Sequence, residues 1–202
     1  MSIWRGQQKL ILASQSRARK MLLENAGLDF EALPADIDER AVQANSGLSA
    51  PGEIASLLAS EKALFISTQK PGQYVVGADQ TLSLGRRLFT KPAHRAQAAE
   101  QLRLLAGEVH ELHSSVAVAR DGRILFLDIS IARMSMRRLD DGEIEAYLDQ
   151  AGAAVMTSVG AYQLEGLGVH LFERIEGDHF TILGLPLLSL LAFLRGANLL
   201  AV

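Results

Sequence analysis

Apolar strand-like runs and helix-like segments alternate along these 202 residues, which points to the α/β class. Three stretches carry this expectation. Leu10-Ile11-Leu12-Ala13 is a short apolar run, followed by Ser14-Gln15-Ser16 and a helical segment that Gly27 ends: strand, turn, helix. Gln73-Tyr74-Val75-Val76 is apolar and β-branched, the pattern of a strand buried on both faces, and it is expected to end at Gly77. Val109–Arg120 and Arg123–Arg138 read as two long strands joined at Asp121-Gly122, a strong hairpin signal.

The remaining elements follow in order. Leu28–Ala32 alternates like a strand, and Pro34 closes it. Ala44–Pro51 reads as a loop. Pro51-Gly52-Glu53 opens a helix to about Ser67, with Ser56, Ser60 and Ser67 on one side, expected to be wet. Thr81–Leu84 and Arg86–Phe89 form a hairpin about Gly85, and Ala93–Ala106 is helical, stopped by Gly107. In Arg123–Arg138 the apolar positions change parity, from Ile124 and Phe126 to Ile129 and Ile131, as a bulge or face switch requires. Asp140-Asp141-Gly142-Glu143 resembles a capping box before a helix to about Gln150. Gly152–Ser158 reads as a flexible connection, and Gly160–Gly168 as a close backbone approach beside a strand. Pro186 suits the first turn of a helix running to Arg195, with Gly196 as its stop.

Composition narrows the function classes. Hydrophobic residues make up 49% of the chain, enough for a sizeable core in one domain or two lobes sharing a core. A net charge of -3 gives no general attraction for nucleic acid or anionic membranes. The absence of cysteine removes disulfides, thiol nucleophiles and Cys-ligated zinc, and it permits a reducing compartment. Met1–Lys9 is polar and does not read as a secretory leader. Phe180–Leu194, the most hydrophobic stretch, is too short to span a bilayer and reads as a core helix. No GxxxxGK[ST], GxGxxG or GxSxG motif occurs, and the five histidines form no metal-ligand pattern. His110 and His113 are expected at the surface or in ordinary hydrogen bonds.

The chemistry is expected around Gly77-Ala78-Asp79-Gln80 and Lys91-Pro92. An ionised Asp at the end of a buried strand is costly without a compensating cation, metal or donor. One hairpin joins Asp79 to Lys91, so the two form either an acid–base pair or a structural salt bridge. At the first strand–helix turn, Arg17, Arg19 and Lys20 crowd a helix N-terminus that favours negative charge. Together with Ser14 and Ser16 they make either an anion site or a solvated basic patch. Asp36, Asp38 and Glu39 are either a solvated loop or oxygen ligands for a hard cation. Lys62 falls within the apolar arc of its helix, so it either snorkels or points at something anionic. Separate cations, a helix N-terminus and acids suit a polyphosphate with a divalent metal, and hence metal-assisted hydrolysis of a phosphoanhydride.

Seven pieces, in order, resemble the Maf family of nucleoside triphosphate pyrophosphatases. They are Leu12-Ala13-Ser14-Gln15-Ser16 with Arg19; Asp36-Ile37-Asp38-Glu39; Glu61-Lys62-Ala63; Gly77-Ala78-Asp79; Lys91-Pro92; Gly160-Ala161-Tyr162; and Glu173–Asp178 with Gly184-Leu185-Pro186. The resemblance spans Leu10 to Arg195, within a single 1–202 domain. It implies a two-lobed, mixed-sheet, Maf/ITPase-like fold with a central nucleotide-binding cleft. It also implies hydrolysis between the α and β phosphates, a Mg²⁺ or Mn²⁺ ion on Glu39 and Asp79, and a cytoplasmic protein that is often a homodimer. Ser14, Arg19, Glu39, Lys62, Asp79 and Lys91 match family active-site positions, with Asp79 as proton acceptor. A septum-formation regulator that binds nucleotide without catalysis is the alternative the family history offers.

Three positions bear on the base. Arg17 and Ala18 replace the proline and first arginine of the usual motif, and Ala18 stands at a position tied to base choice. Gln80 and Glu165 replace the threonine and glutamine of the dTTP- and UTP-preferring branch. Both resemble the 7-methyl-GTP branch. A carboxylate suits a purine carrying N–H donors and positive charge, and repels the acceptor-rich edge of uracil or thymine.

Overall fold

A computed structural model describes residues 3–202. Met1 and Ser2, at the start of the polar stretch read above as no leader, lie outside the described residues. The strands are β1 (Leu10–Leu12), β2 (Phe30–Ala32), β3 (Val75–Leu84), β4 (Arg87–Phe89), β5 (Val109–Arg120), β6 (Arg123–Met136) and β7 (Phe172–Glu176). The helices are α1 (Arg17–Asn25), α2 (Glu39–Ser46), α3 (Pro51–Gln69), α4 (Arg95–Leu105), α5 (Asp141–Ala151), α6 (His179–Ile182) and α7 (Leu187–Gly196). The strands form a mixed sheet of order β2-β1-β3-β5-β6-β7, with β4 paired to β3. The α/β expectation holds. Among the described residues no helix is long and apolar enough to cross a membrane.

The chain divides into two compact units. The first comprises residues 1–80, 113–130 and 179–202, and the second residues 81–112 and 131–178. In the first unit β1 pairs in parallel with β2 and with β3, the latter through Ile11↔Val75 and Leu12↔Val76. Its largest core cluster gathers Leu10, Leu12, Leu23, Val76, Ala78, Val116, Val118, Leu190 and Leu194. In the second unit β3 turns back antiparallel onto β4, and β6 pairs antiparallel with β7. Leu82, Leu102, Leu105, Met134, Met136, Ile144 and Leu148 are buried there.

Several boundaries differ from the sequence reading, each for a physical reason. The buried strand does not end at Gly77. β3 continues through Asp79 to Leu84, and only its parallel pairing with β1 stops at Val76. Gly77 is needed because α3 lies against the strand: a Cβ there would sit 2.1 Å from the Ala59 carbonyl oxygen and 2.7 Å from the Ala63 nitrogen. Part of the expected Ala44–Pro51 loop is helical, because Asp38 caps α2 by accepting from Ala41 N (3.0 Å), and Gly47 ends it in the left-handed region. Ser67 is buried, not wet. Its Oγ donates to Leu64 O and accepts from Gly122 N, so the hydroxyl is satisfied inside the protein. Gly152–Met156 is a 3₁₀ turn with Val155 buried, not an irregular connection.

Other expectations hold. Asp140 and Glu143 form the capping box. A Cβ at Gly160 would meet the Leu82 side chain at 2.6 Å, the close approach beside a strand. The expected change of parity in β6 is not among them: exposure alternates without a break from Arg123 to Met134, with Ile124 and Phe126 half-buried and Ile129 and Ile131 exposed, and the register shift against β7 lies at Ser135/Met136.

Candidate active site

The site in the first unit begins with small residues. Ala59, Ala63 and Gly77 let the backbones of α3 and β3 touch. Lys62 sits between those two alanines in sequence, so the same close packing carries its long side chain along the strand to Asp79. Nζ lies 2.6 Å from Asp79 Oδ1 and 2.7 Å from Glu39 Oε1. Lys62 and Asp79 are each only 8% exposed, so this is a desolvated pair. Glu39, on the first turn of α2, is half open to solvent. Of the two readings of Lys62, the one in which it points at something anionic holds.

Arg19 reaches the same place from α1. Its Nη1 donates to Ala78 O (2.8 Å) and to Ser14 Oγ (3.3 Å), and its Nε donates to Gly184 O (2.7 Å). Ser14 Oγ also accepts from Ser16 N, and Ser16 caps α1 by accepting from Arg19 N. The serines and Arg19 therefore brace the strand–helix turn. Arg17 is exposed, and Ala18 packs against the core.

The electrostatics follow from burial. Desolvation raises the Asp79 pKa above the ordinary carboxylate value, against the pull of Lys62 and then Arg19, with Glu39 adding to the rise. Desolvation also lowers the Arg19 pKa, while Asp79 and Glu39 oppose that shift. A carboxylate with raised basicity, held beside cations, can accept a proton from water in contact with a phosphate.

Glu39 and Asp79 each put an oxygen on one ammonium, so both converge on one point. Among the described residues no group of three or more His, Asp or Glu side chains is placed to hold a metal. A Mg²⁺-type ion takes one or two carboxylates and completes its shell with water and phosphate oxygens, so the donor chemistry of this pair suits such an ion, while the point on which the two converge is held by the Lys62 ammonium. Asp36 is exposed and Asp38 is spent on its cap, so the acidic cluster contributes only Glu39.

Gln80 is partly buried. Its Nε2 donates to Ser114 Oγ (2.8 Å) and lies 3.1 Å from both Thr181 O and Ile182 O. Sequence reasoning missed Ser114 and the carbonyls at the end of α6. Two serines inside the apolar run of β5 were the available signal; the carbonyls left none. In the second unit, Lys91 is exposed beyond β4 beside buried Pro92, and Glu165 is exposed in a turn. His110 is fully buried and shares a 2.7 Å hydrogen bond with the Tyr162 hydroxyl, while His113 is also buried, so neither is a surface residue.

The profile of a family described as "Maf-like protein" matches residues 9–197. A protein from Bradyrhizobium diazoefficiens named nucleoside triphosphate pyrophosphatase is 68% identical over 202 residues, covering 100% of both chains. A 7-methyl-GTP pyrophosphatase from Mesorhizobium japonicum is 53% identical over 191 residues, covering 93% of this chain and 96% of the relative. A crystal structure from Mycobacterium abscessus, titled a nucleoside-triphosphatase / dITP/XTP pyrophosphatase, aligns with a TM-score of 0.44 at 16% identity, over 94% of this chain and 98% of that one. At that level the likeness adds nothing to the fold as described.

Proposed function

The chain belongs to the Maf-like family, and from this membership we propose that it is a nucleoside triphosphate pyrophosphatase, a hydrolase of acid anhydrides. The observation that carries the reading is the buried Asp79 carboxylate, raised in basicity by desolvation and held by Lys62 against Glu39. In the reaction, the oxygen of a water bonds to the α-phosphorus and its proton passes to Asp79. The bond from that phosphorus to the bridging oxygen breaks, and pyrophosphate leaves with the electron pair. Lys62 orients Asp79 and adds positive charge where phosphate oxygens gather charge. A divalent cation, Mg²⁺ or Mn²⁺, on Glu39 and Asp79 supplies further charge neutralisation when bound. Lys91 and Glu165 keep the roles that the family resemblance gives them.

The preferred substrate in this reading is a modified purine triphosphate of the 7-methyl-GTP type. The Glu165 carboxylate suits a base carrying N–H donors and positive charge, and the name of the Mesorhizobium relative points the same way. The test is pyrophosphate release from ordinary and methylated triphosphates with Mg²⁺, wild type beside Asp79→Asn. Wild type should release pyrophosphate, and the variant should lose about 10²–10⁴-fold of the turnover, the worth of a positioned base. Near-normal turnover by Asp79→Asn removes it from the mechanism. UTP and dTTP emerging as clearly best would overturn the substrate preference. Nucleotide binding with no hydrolysis would make the chain a binder, as in the regulator alternative.

A further inference from the structure

A guanidinium grips a phosphate through two parallel N–H groups, along its Nε/Nη2 side or across its Nη1/Nη2 end. In Arg19 each of these edges already has one nitrogen spent within the protein. Nε donates to Gly184 O at 2.7 Å, and the two hydrogens of Nη1 go to Ala78 O at 2.8 Å and Ser14 Oγ at 3.3 Å. Among the described residues nothing accepts from Nη2, and that nitrogen is not sealed in the interior.

The carbonyl on Nε belongs to a turn whose place is set without Arg19. Gly184 closes α6: its N–H donates to Thr181 O, and that of Leu185 donates to Phe180 O. Leu183 and Leu185, on either side, are buried in the core cluster of the first unit, and Pro186 leads into α7. Gly184 has a φ of +87°, in the left-handed region, and a Cβ there would stand 3.3 Å from Arg19 Nη2 and 3.5 Å from Nε. Glycine is required twice, for the backbone and for the room beside the guanidinium.

We propose that Gly184 is a positioning residue for Arg19: its carbonyl holds Nε and turns the guanidinium so that the two hydrogens of Nη2 are what it offers to the phosphate oxygens of the substrate. A turn anchored in the core then fixes the direction of that positive charge before substrate arrives. The inference rests on the proposed reading of this site as one for a nucleoside triphosphate.

The test is a double-mutant cycle of Gly184→Ala and Arg19→Met. Its readouts are KM for the best triphosphate and the Kd of α,β-methylene GTP, whose bridging carbon resists hydrolysis, both with Mg²⁺. Gly184→Ala should raise KM and Kd by about tenfold, the low end for a charge-assisted hydrogen bond, and lower kcat by less. In the Arg19→Met background it should add nothing. A merely structural role for Gly184 would leave the same penalty in both backgrounds, and that result overturns the proposal, as does a folded Gly184→Ala with unchanged KM and Kd. If Gly184→Ala does not fold, nitrogen-15 NMR of wild type decides. The Arg19 Nε–H should exchange slowly and hold its shift when the analogue binds, while the Nη2 hydrogens move. An Nε–H that exchanges fast, or that moves with the analogue while Nη2 stays, overturns the proposal. If wild type neither hydrolyses nor binds any triphosphate, the proposed function falls and this inference with it; if it hydrolyses normally and the cycle fails, only the role of Gly184 falls.

Discussion

The two compact units bury polar groups in opposite ways. The first buries charge: Asp79 and Lys62 pair away from water, and the Arg19 guanidinium is spent largely on backbone carbonyls. The second buries neutral polarity. His110 shares its hydrogen bond with Tyr162, both rings pack with Phe172, and burial holds His110 down to a pKa of about 4. Its charges stay outside, in exposed pairs such as Arg103–Asp141 and Arg95–Glu145. A neutral pair costs little to bury once hydrogen-bonded, whereas a buried ion pair barely repays its desolvation. The first arrangement therefore calls for a reason beyond stability, and chemistry on a charged substrate is such a reason.

That contrast can be broken most severely at Gly77. Gly77→Ala places a methyl against the α3 backbone on atoms that cannot yield. It should cost about 3 kcal/mol or more, at or above the top of the usual overpacking range, and remove turnover by pulling Lys62 from Asp79. Urea melts and the pyrophosphate assay read both effects, and a variant of normal stability would refute the close packing. Lys62→Met comes next. It leaves two carboxylates facing each other, so the Asp79 midpoint should climb further and turnover should collapse. The stability loss should be about 3 kcal/mol or less, the low end for a broken buried pair, because Asp79 can take up a proton. A variant that only lowered the melting temperature would mean that Lys62 is structural.

The sharpest comparison is in pH, because the two buried groups tilt stability in opposite directions. His110 titrates near 6.5 when unfolded and about 4 when folded. Between those values only the unfolded chain binds the proton, so the His110 contribution rises with pH, by on the order of 3 kcal/mol in total. Asp79 has its pKa raised above 3.8, so the native state keeps its proton longer and its contribution falls as pH rises from that value. Urea midpoints across this range should therefore have a shallower rise in His110→Gln and a steeper one in Asp79→Asn. Equal slopes in all three proteins would contradict both burials. The smallest effect belongs to the exposed pairs: Arg103→Ala should leave the melting temperature and turnover unchanged within error, since a solvated pair is screened.

Much of this was legible in the chain itself. The order of strands and helices, the Asp121-Gly122 turn and the capping box at Asp140 are local, written in period, turn chemistry and caps. That Asp79 needs a compensating charge was legible too, since a carboxylate after a β-branched run is conspicuous, and Lys62 stood out as a charge within an apolar arc. Local signals could not name the partner of Asp79. Spacing along one hairpin offered Lys91, but Lys62 makes the buried ion pair, because Gly77 and two alanines bring α3 onto the strand. Nor could they assign Gln80, whose partners are backbone carbonyls about a hundred residues away, groups that every residue type carries alike. Ser67 failed for a similar reason: Ser56 and Ser60 stay partly exposed, but the turn at Gly122 covers Ser67 alone at the end of that side. Residue identities determined which groups were available for chemistry. Tertiary packing decided which of them lost their water, and for a charged side chain that loss sets both its partner and its proton affinity.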